Sequence, residues 1–234
     1  MGTLRNAVNG LCLMAVAGAG PGAGSRPAAA VEYRIDPEAS ELVVRLFRGG
    51  IASAFAHDHV IEATAFRGSV TWDPERPAEA RVRMTVDARE LVADRAALRA
   101  DYGLDKKLSD DDRAKVQSTM ESDEQLDVQA HPEMSFTSTS VRVAEGGGVE
   151  VSGDLRLHGT THVVTFTTTP RVENGTLSAD AEIPFRQSDY GIEPYRAMLG
   201  AIRNKDEALL IVHLVAVEQP RPTTPSPGTE LTSR

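Results

Sequence analysis

The sequence has a single cysteine, Cys12, and that cysteine lies within the first 30 residues. The rest of the chain therefore offers no disulfide, no thiolate nucleophile and no cysteine ligand for a metal ion. Aromatic residues are scarce as well, at 5% of the chain with one tryptophan. We therefore expect a core of aliphatic side chains, and the fold has to be stabilised by burial of that core alone.

Basic clusters and long apolar runs are also missing. The chain has 25 lysines and arginines against 34 acidic residues, which gives a net charge of −9. An acidic chain without a basic cluster is not expected to bind nucleic acid or an anionic membrane surface. The first apolar run, residues 11–19, is far shorter than the ~20 residues that a membrane-spanning helix needs. The sequence therefore predicts neither a nucleic-acid partner nor a membrane span.

The N-terminal residues have the pattern of a secretory signal. An arginine precedes the apolar run, and small residues follow it up to Ala28, Ala29 and Ala30, which resemble a cleavage site. Leu11 precedes Cys12 where a lipoprotein would have a small residue, so we do not expect lipidation. Residues 1–30 are predicted to be a signal peptide and the protein to be periplasmic or secreted, the alternative being an N-terminus that is not cleaved.

The central part of the chain alternates between apolar and polar residues, as a half-buried strand does. The clearest case is "RVRMTVD" at 81–87, and residues 149–157 and 177–185 repeat the pattern. Turn signals such as "AEGGG" and "ENG" separate these runs. About eight hairpin-connected strands are predicted, which favours a closed antiparallel barrel or a sandwich.

Two segments depart from this alternation. Residues 90–126 are highly charged, and Ser109 followed by Asp112 resembles a capping box, which predicts a helix over about 110–121 and a shorter one near 94–101. This helical insertion is expected to lie across the barrel. Residues 219–234 contain four prolines in 16 positions and are predicted to be a disordered tail.

Three motifs, in order, resemble the YceI-like family of bacterial periplasmic polyisoprenoid-binding proteins. They lie in residues 120–141, 153–166 and 184–192, and the resemblance extends over about 32–217. The matching residues are Ser122, Leu126, Asp127, Val128, His131, Pro132, Phe136, Ser138, Gly153, Leu155, Gly159, Thr160, Phe185, Asp189, Tyr190 and Gly191. Three of them depart from the family pattern, in which Leu126 would be aromatic, His131 a tyrosine and Tyr190 a phenylalanine.

The resemblance implies an all-β fold, an extended lipocalin-like antiparallel β-barrel over residues 31–218 with a helical insertion. It implies that the barrel carries or sequesters a long isoprenoid lipid, polyisoprenoid or quinone-like, without being an enzyme and without a cofactor. The predicted ligand-binding residues of the interior are Val82, Met84, Val86, Leu155, Leu157, Phe166 and Phe185. The alternative is that these side chains fill a packed barrel that binds other proteins. A homodimer remains open.

The stretch "AFAHDHVIE" places His57 and His59 two positions apart, hence on one face if the segment is extended. A protein-held zinc or copper ion needs further ligands, and only Asp58 and the distant His131, His158 and His162 are candidates. Three interpretations remain: a metal site, contacts to a ligand headgroup, and structural hydrogen bonds. We predict a polar rim without a metal, made of His57, His59, Asp189 and Tyr190. A metal-dependent enzyme or redox accessory using the two rim histidines is the alternative function.

Motifs for other chemistry are absent. The sequence has no G-x-S-x-G elbow, no phosphate-binding P-loop and no G-x-G-x-x-G fingerprint. The segment from Asp189 to Glu207 is predicted to be a loop that either closes one barrel end or packs on the wall. Its Arg203 and Lys205 are candidates for a pyrophosphate contact, with a solvated loop as the alternative.

Overall fold

The computed structural model describes residues 30–52, 56–104 and 106–220. Within these residues the chain forms an antiparallel sheet that wraps around an apolar interior, with two helices beside it. The all-β, barrel-like fold class that the family resemblance implies is thereby confirmed, whereas the alternation alone had left a sandwich open. Ten of the strands have five residues or more, compared with the predicted eight or so.

The sheet contains thirteen strands within the described residues. In chain order they are β1 (Val31–Ile35), β2 (Glu41–Gly49), β3 (His59–Ala63), β4 (Phe66–Trp72), β5 (Arg81–Asp87), β6 (Leu91–Ala93), β7 (Glu133–Val143), β8 (Val149–Leu157), β9 (Thr160–Thr168), β10 (Arg171–Glu173), β11 (Thr176–Arg186), β12 (Arg196–Ala197) and β13 (Ile202–Glu218). The helices are α1 (Ala96–Asp101) and α2 (Asp110–Glu121), and both lie between β6 and β7.

The strand order makes a cup rather than a closed barrel. Neighbouring strands follow the order β6-β3-β2-β13-β1-β4-β5-β7-β8-β9, and β11 pairs with the other edge of β13. The curvature brings β9 next to β11, where the Thr168 hydroxyl donates a hydrogen bond to the Asp180 carbonyl at 2.7 Å. Within the described strands no backbone ladder joins β9 to β11, so the sheet is not closed there.

The alternation seen in the sequence decides which side chains face the interior. Val149, Val151 and Leu155 of β8 are buried, as the period of two predicts. In β7 the register with β8 shifts between Ser138 and Ser140. A bulge adds one residue and so reverses the alternation beyond it. It allows Val141 to be buried although it lies an odd number of positions after Phe136.

Helix α1 covers part of the outer surface of the cup. Its Leu98 packs against Val43 of β2 and Val60 of β3, and all three side chains are buried. These side chains form an apolar cluster separate from the lumen. The outer face of β2 and β3 is therefore buried on a helix, while their inner face lines the interior.

Helix α2 lies at one end of the cup, and its predicted bounds are confirmed. The Ser109 hydroxyl accepts a hydrogen bond from the backbone N–H of Asp112 at 3.1 Å, which caps the helix as predicted. Gln117 joins the helix to β6, because its side chain accepts from the Ala93 N–H and donates to the Leu91 carbonyl, both at 2.8 Å. Met120 is buried in the main core.

Two expectations concern residues that the structure does not describe. The predicted signal peptide lies outside the described residues except for Ala30, and the predicted tail does so from residue 221 onward. Among the helices that are described, none is long and apolar enough to cross a bilayer.

Candidate functional site: an apolar lumen with a polar mouth

The half of the lumen away from α2 contains a narrow cavity of about 100 Å³. Aliphatic and aromatic side chains form nearly all of its wall, among them Leu42, Val70, Trp72, Val82, Met84, Phe136, Val151, Leu155, Phe166, Leu177, Ala181, Ile183 and Leu214. Asp180 also borders it, but its carboxylate turns outward to the ring Nδ1 of His213 at 2.6 Å on the outer surface. We call this space the narrow cavity.

The half below α2 contains a larger cavity of about 390 Å³, which we call the wide cavity. Its volume lies within the roughly 300–1,000 Å³ that small-molecule sites occupy. Apolar side chains form its inner part: Val44, Leu46, Ile61, Leu91, Leu126, Met134, Leu157, Phe185 and Ile192. Polar side chains border it as well: His57, His59, Asp112, Lys115, Thr119, Gln125, Gln187 and Asn204.

The two cavities follow one another along the same strands. On β2, Leu42 borders the narrow cavity and Leu46 the wide one; on β8, Leu155 and Leu157 divide in the same way. On β11 the boundary passes between Ile183 and Phe185. Because inward side chains recur every second residue, the cavities are arranged end to end along one lumen.

A buried ionic network holds His59 at the edge of the wide cavity. The ring Nδ1 of His59 lies 2.5 Å from Oδ2 of Asp94, and Asp94 is fully buried. The other carboxylate oxygen, Oδ1, accepts from Nη1 of Arg99 at 2.7 Å and from the Val60 N–H at 3.2 Å. Burial raises the pKa of Asp94, but the hydrogen bonds from His59 and Arg99 outweigh burial and leave that pKa below its ordinary value. Asp94 is therefore an ionised acceptor.

Arg99 is buried and uses both of its Nη atoms in this network. It is 5% exposed, and Nη1 also donates to the Asp58 carbonyl at 3.0 Å while Nη2 donates to the Lys106 carbonyl at 2.9 Å. The guanidinium therefore balances the charge of Asp94 and links the backbone at Asp58 to the backbone at Lys106. A buried pair of this kind is costly to break, since the remaining charge has no partner.

His57 borders the same cavity without a comparable anchor. Its ring centroid is 6.5 Å from that of His59, and its Nδ1 atom is buried without a hydrogen-bond partner among the described residues. Burial lowers the pKa of His57, and the positive charge of Lys106 lowers it further. The ring is therefore uncharged at neutral pH.

Most of the predicted interior residues border the lumen. Val82, Met84, Leu155 and Phe166 lie on the narrow cavity, and Leu157 and Phe185 on the wide one. Val86 borders neither cavity and packs as a half-buried member of the main core.

The four predicted rim residues are not brought together. His57 and His59 border the wide cavity, whereas Asp189 is exposed and Tyr190 is 1% exposed within the second apolar cluster. Burial, with the charge of Asp189 nearby, raises the pKa of Tyr190 to about 12. The Tyr190 ring packs against the Phe185 ring with centroids 5.9 Å apart, so Tyr190 is part of the wall of the cup and does not lie at its rim.

The histidines considered as further metal ligands lie around Tyr190 instead. The ring of His162 is 5.3 Å from that of Tyr190, and His158 Nδ1 lies 3.2 Å from the Tyr190 carbonyl. His131 stacks edge-on against His158 with centroids 4.6 Å apart. In the described part of the chain, no group of three or more His, Cys, Asp and Glu side chains could hold a metal ion.

The sequence reasoning missed Asp94 and Arg99. The segment "LVADRAALR" contains an acid five residues before an arginine, which is an unremarkable spacing for an exposed helix start. The sequence carries only a weak signal, since Asp94 directly follows the apolar residues 91–93. The structure gives Asp94 a positive φ of 54°, a conformation that aspartate tolerates better than most residues. Only the pairing of β3 with β6 shows that this aspartate faces His59.

The fold and the lumen define a β-rich protein of the lipocalin-like class. The chain belongs to the YceI-like family, because the family model described as a YceI-like domain matches residues 33–216. A UPF0312 protein of Pseudomonas putida strain W619 is 30% identical over 142 residues, which cover 61% of this chain and 63% of that relative. Protein YceI of Salmonella newport is 27% identical over 139 residues, 59% of this chain and 61% of the relative. The matched region thus spans less than two thirds of these relatives' length.

Solved structures agree on the fold. Burkholderia cenocepacia BcnA superposes with a TM-score of 0.61 at 19% identity, covering 78% of this chain and 99% of BcnA. A Campylobacter jejuni YCEI protein gives a TM-score of 0.51 at 11% identity, covering 68% of this chain and 85% of that protein. At these identities the likeness concerns the fold alone.

Proposed function

We propose that this protein binds one long isoprenoid lipid along its lumen and carries or sequesters it in the cell envelope, without a reaction of its own. The observation that supports this most is the end-to-end arrangement of the two cavities, because a linear apolar chain needs a continuous apolar path. Membership of the YceI-like family, known for polyisoprenoid binding, supports the isoprenoid class.

In this proposal the predicted interior residues contact the lipid chain. Val82, Met84, Leu155 and Phe166 would contact the far end of the chain, and Leu157 and Phe185 the part nearer the mouth. Val86 is left out, since it borders neither cavity. Export by the predicted signal peptide would bring the protein to the compartment where such a lipid is exchanged between membranes.

The direct test uses the full chain, expressed with export and examined by native mass spectrometry beside organic extraction. We expect a bound mass of several hundred daltons that extracts into solvent. Adding a long-chain prenol to protein stripped of lipid should raise its Tm, because a ligand at about 100 times its Kd stabilises the folded state by about 2.7 kcal/mol. A clean unliganded mass together with an unchanged Tm for every prenol would contradict the proposal.

A matched pair of variants tests whether the chain enters the narrow cavity. Ala181→Phe places a ring at the wall of the narrow cavity, whereas Glu182→Phe places the same ring on the exposed side of the same strand. We expect Ala181→Phe to weaken binding of a long-chain prenol by about tenfold or more, and to leave the shorter farnesol nearly unaffected. Glu182→Phe should bind both as the wild type does. Equal binding of the long prenol by both variants would argue against the narrow cavity as part of the site.

A further inference from the structure

The most exposed large apolar side chains of the described residues lie on two neighbouring turns. Ile51, just after β2, is 98% exposed. Met198 and Leu199, between β12 and β13, are 71% and fully exposed. The Ala52 N–H donates a hydrogen bond to the Ala201 carbonyl at 3.0 Å, which holds the two turns side by side. We call Ile51, Met198 and Leu199 the apolar tip.

The backbone of the second turn is unfavourable for the residues that it carries. Met198 and Leu199 have positive φ angles of 50° and 56°. Turns with two consecutive residues of positive φ usually carry asparagine, aspartate or glycine, because larger side chains meet the backbone in this conformation. Two large apolar side chains therefore occupy positions that neither the local conformation nor burial favours. A contact with something outside the chain accounts for their presence there.

Basic side chains lie behind the apolar tip on the same hairpin. Arg196 of β12 is the cross-strand neighbour of Arg203 of β13. The side chains of Arg203 and Lys205 lie together beside Gly49 of β2. Glu193 lies 3.6 Å from Nε of Arg196 and offsets its charge in part, but no described acid forms an ion pair with Arg203 or Lys205. Like charges on neighbouring strands repel each other, so the hairpin has an excess of positive charge that suits an anionic surface.

Arg203 and Lys205 point away from the lumen. Both were candidates for a pyrophosphate contact, yet they border neither described cavity, because the alternation of β13 turns Ile202 and Asn204 toward the wide cavity instead. The absence of a basic run in the sequence predicted no anionic membrane surface as a partner. The pairing of β12 with β13 nevertheless forms a basic cluster in the folded chain.

The apolar tip lies beside the mouth of the wide cavity. Tyr195, Ile202 and Asn204 flank the second turn, and all three border that cavity. Strands rise by about 3.3 Å per residue, so Arg203 and Lys205 lie roughly 5–15 Å behind the turn. The headgroup layer of a bilayer is roughly 5–8 Å thick on each side of the hydrocarbon. Side chains at the tip can therefore reach apolar depth while the cations stay near the phosphates.

We propose that the apolar tip and the basic residues behind it dock the protein on an anionic bilayer surface, with the mouth of the wide cavity turned toward the membrane. Apolar side chains in the interface, together with cations at headgroup level, give peripheral proteins reversible membrane binding. Three protruding side chains are too few for a stable protein interface, which takes about 20–30 residues from each partner. The inference adds a partner to the proposed function, because a carrier has to receive its lipid from a membrane or deliver it to one.

The experiment measures co-sedimentation of the full chain, purified after export and stripped of lipid, with vesicles. The vesicles contain phosphatidylcholine alone or phosphatidylcholine with phosphatidylglycerol, each at low and at high salt. We expect binding to the anionic vesicles at low salt and a loss of about tenfold or more at high salt, because salt screens the basic residues. Binding to phosphatidylcholine alone should be weak.

Variants of the tip test its apolar contribution. Leu199→Asn should weaken binding to anionic vesicles by about tenfold, as for one apolar side chain withdrawn from the interface. Its Tm should not fall, because asparagine tolerates the positive φ better than leucine. Val163→Thr is the matched control, since Val163 is 67% exposed on β9, at the far end of the strand order from β13. Leu199→Trp should shift its emission to shorter wavelength on anionic vesicles, and Val163→Trp should not.

Variants of the basic residues test the electrostatic contribution. Arg203→Gln combined with Lys205→Gln should weaken binding to anionic vesicles by about tenfold and reduce its dependence on salt. Arg34→Gln combined with Arg171→Gln removes the same charge near the other end of β13 and is the control. Equal losses in the two double variants would mean that net charge, and not the basic residues of the hairpin, drives binding, which would overturn the inference.

The remaining outcomes also decide the inference. No binding of the wild type to anionic vesicles, or equal binding by Leu199→Asn, would overturn it. Self-association that Leu199→Asn abolishes, without vesicle binding, would overturn it as well and assign the tip to a second copy of the chain. Each of these results leaves the proposed function of the lumen standing, because vesicle binding is measured without a ligand. Conversely, docking through the tip can be confirmed even in protein that binds no prenol.

Discussion

The narrow and the wide cavity are built from consecutive inward residues of the same strands, yet they differ in chemistry. The narrow cavity is bordered by aliphatic and aromatic side chains, whereas the wide cavity is also bordered by His57, His59 and Lys115. The difference arises from what covers each half. The narrow cavity is surrounded by strand residues, with only Ala80 and Pro170 of its described lining lying between strands. The wide cavity also meets α2 and the segment before β3, which supply polar side chains.

Two His–Asp contacts of similar distance also differ in their surroundings. His59 and Asp94 meet at 2.5 Å with a fully buried carboxylate, and His213 and Asp180 meet at 2.6 Å with both partners exposed. The geometry is nearly equal, but solvent screens the second pair and not the first. Only the buried pair can impose a ring orientation on a binding site.

The largest expected effect concerns that buried pair. Asp94→Asn removes the charge that balances Arg99, and asparagine tolerates the positive φ of 54° at this position. We expect a loss of about 4 kcal/mol in the free energy of unfolding, as for a broken buried ion pair. Urea denaturation measures it, with Asp180→Asn as the control that should lose less than about 1 kcal/mol. Equal losses in the two variants would remove the distinction between the pairs.

The next effect concerns the two halves of the lumen. Leu177 is 1% exposed on the wall of the narrow cavity, while Leu46 is half-buried on the wide one. Leu177→Ala should cost about 3 kcal/mol, because it removes packed contacts, and Leu46→Ala about 1 kcal/mol, because that side chain already borders open space. Thermal and urea unfolding of unliganded protein test this. A larger loss for Leu46→Ala would mean that the wide cavity is packed in solution.

The smallest effect is a dependence on acid pH. The pKa of Asp94 is lower in the folded protein than its ordinary value of 3.8, so the unfolded chain binds a proton first as pH falls. The stability from Asp94 is therefore present above about pH 4, and it is lost as pH falls through the lowered folded pKa. Urea titrations at decreasing pH should show the stability difference between wild type and Asp94→Asn beginning to narrow below about pH 4. A gap that stays constant would mean that the Asp94 charge does not stabilise the fold.

Much of the fold could be predicted because its signals are local. Alternation identified the inward faces of β5, β8 and β11, and the capping residues at Ser109 gave the bounds of α2. The closed barrel that the alternation favoured was wrong in one respect, because the described strands leave the sheet open between β9 and β11. Closure depends on whether these two strands approach closely enough for a backbone ladder, which alternation does not encode. The bulge in β7 could not be predicted either, because one extra residue does not change the pattern of a run of serines and threonines.

The candidate site divides in the same way. The sequence alone determined an aliphatic, disulfide-free antiparallel fold, its helical insertion and a pair of histidines at the start of a strand. These features could be predicted because they follow from the composition and from the pattern of residues that are neighbours in the chain. The tertiary structure decided that Asp94 and Arg99 orient His59, that Tyr190 is buried in the wall and that α2 borders the wide cavity. These contacts join residues that are far apart in the chain. Their free energies depend on burial, which is a property of the folded chain and cannot be read from any single segment of the sequence.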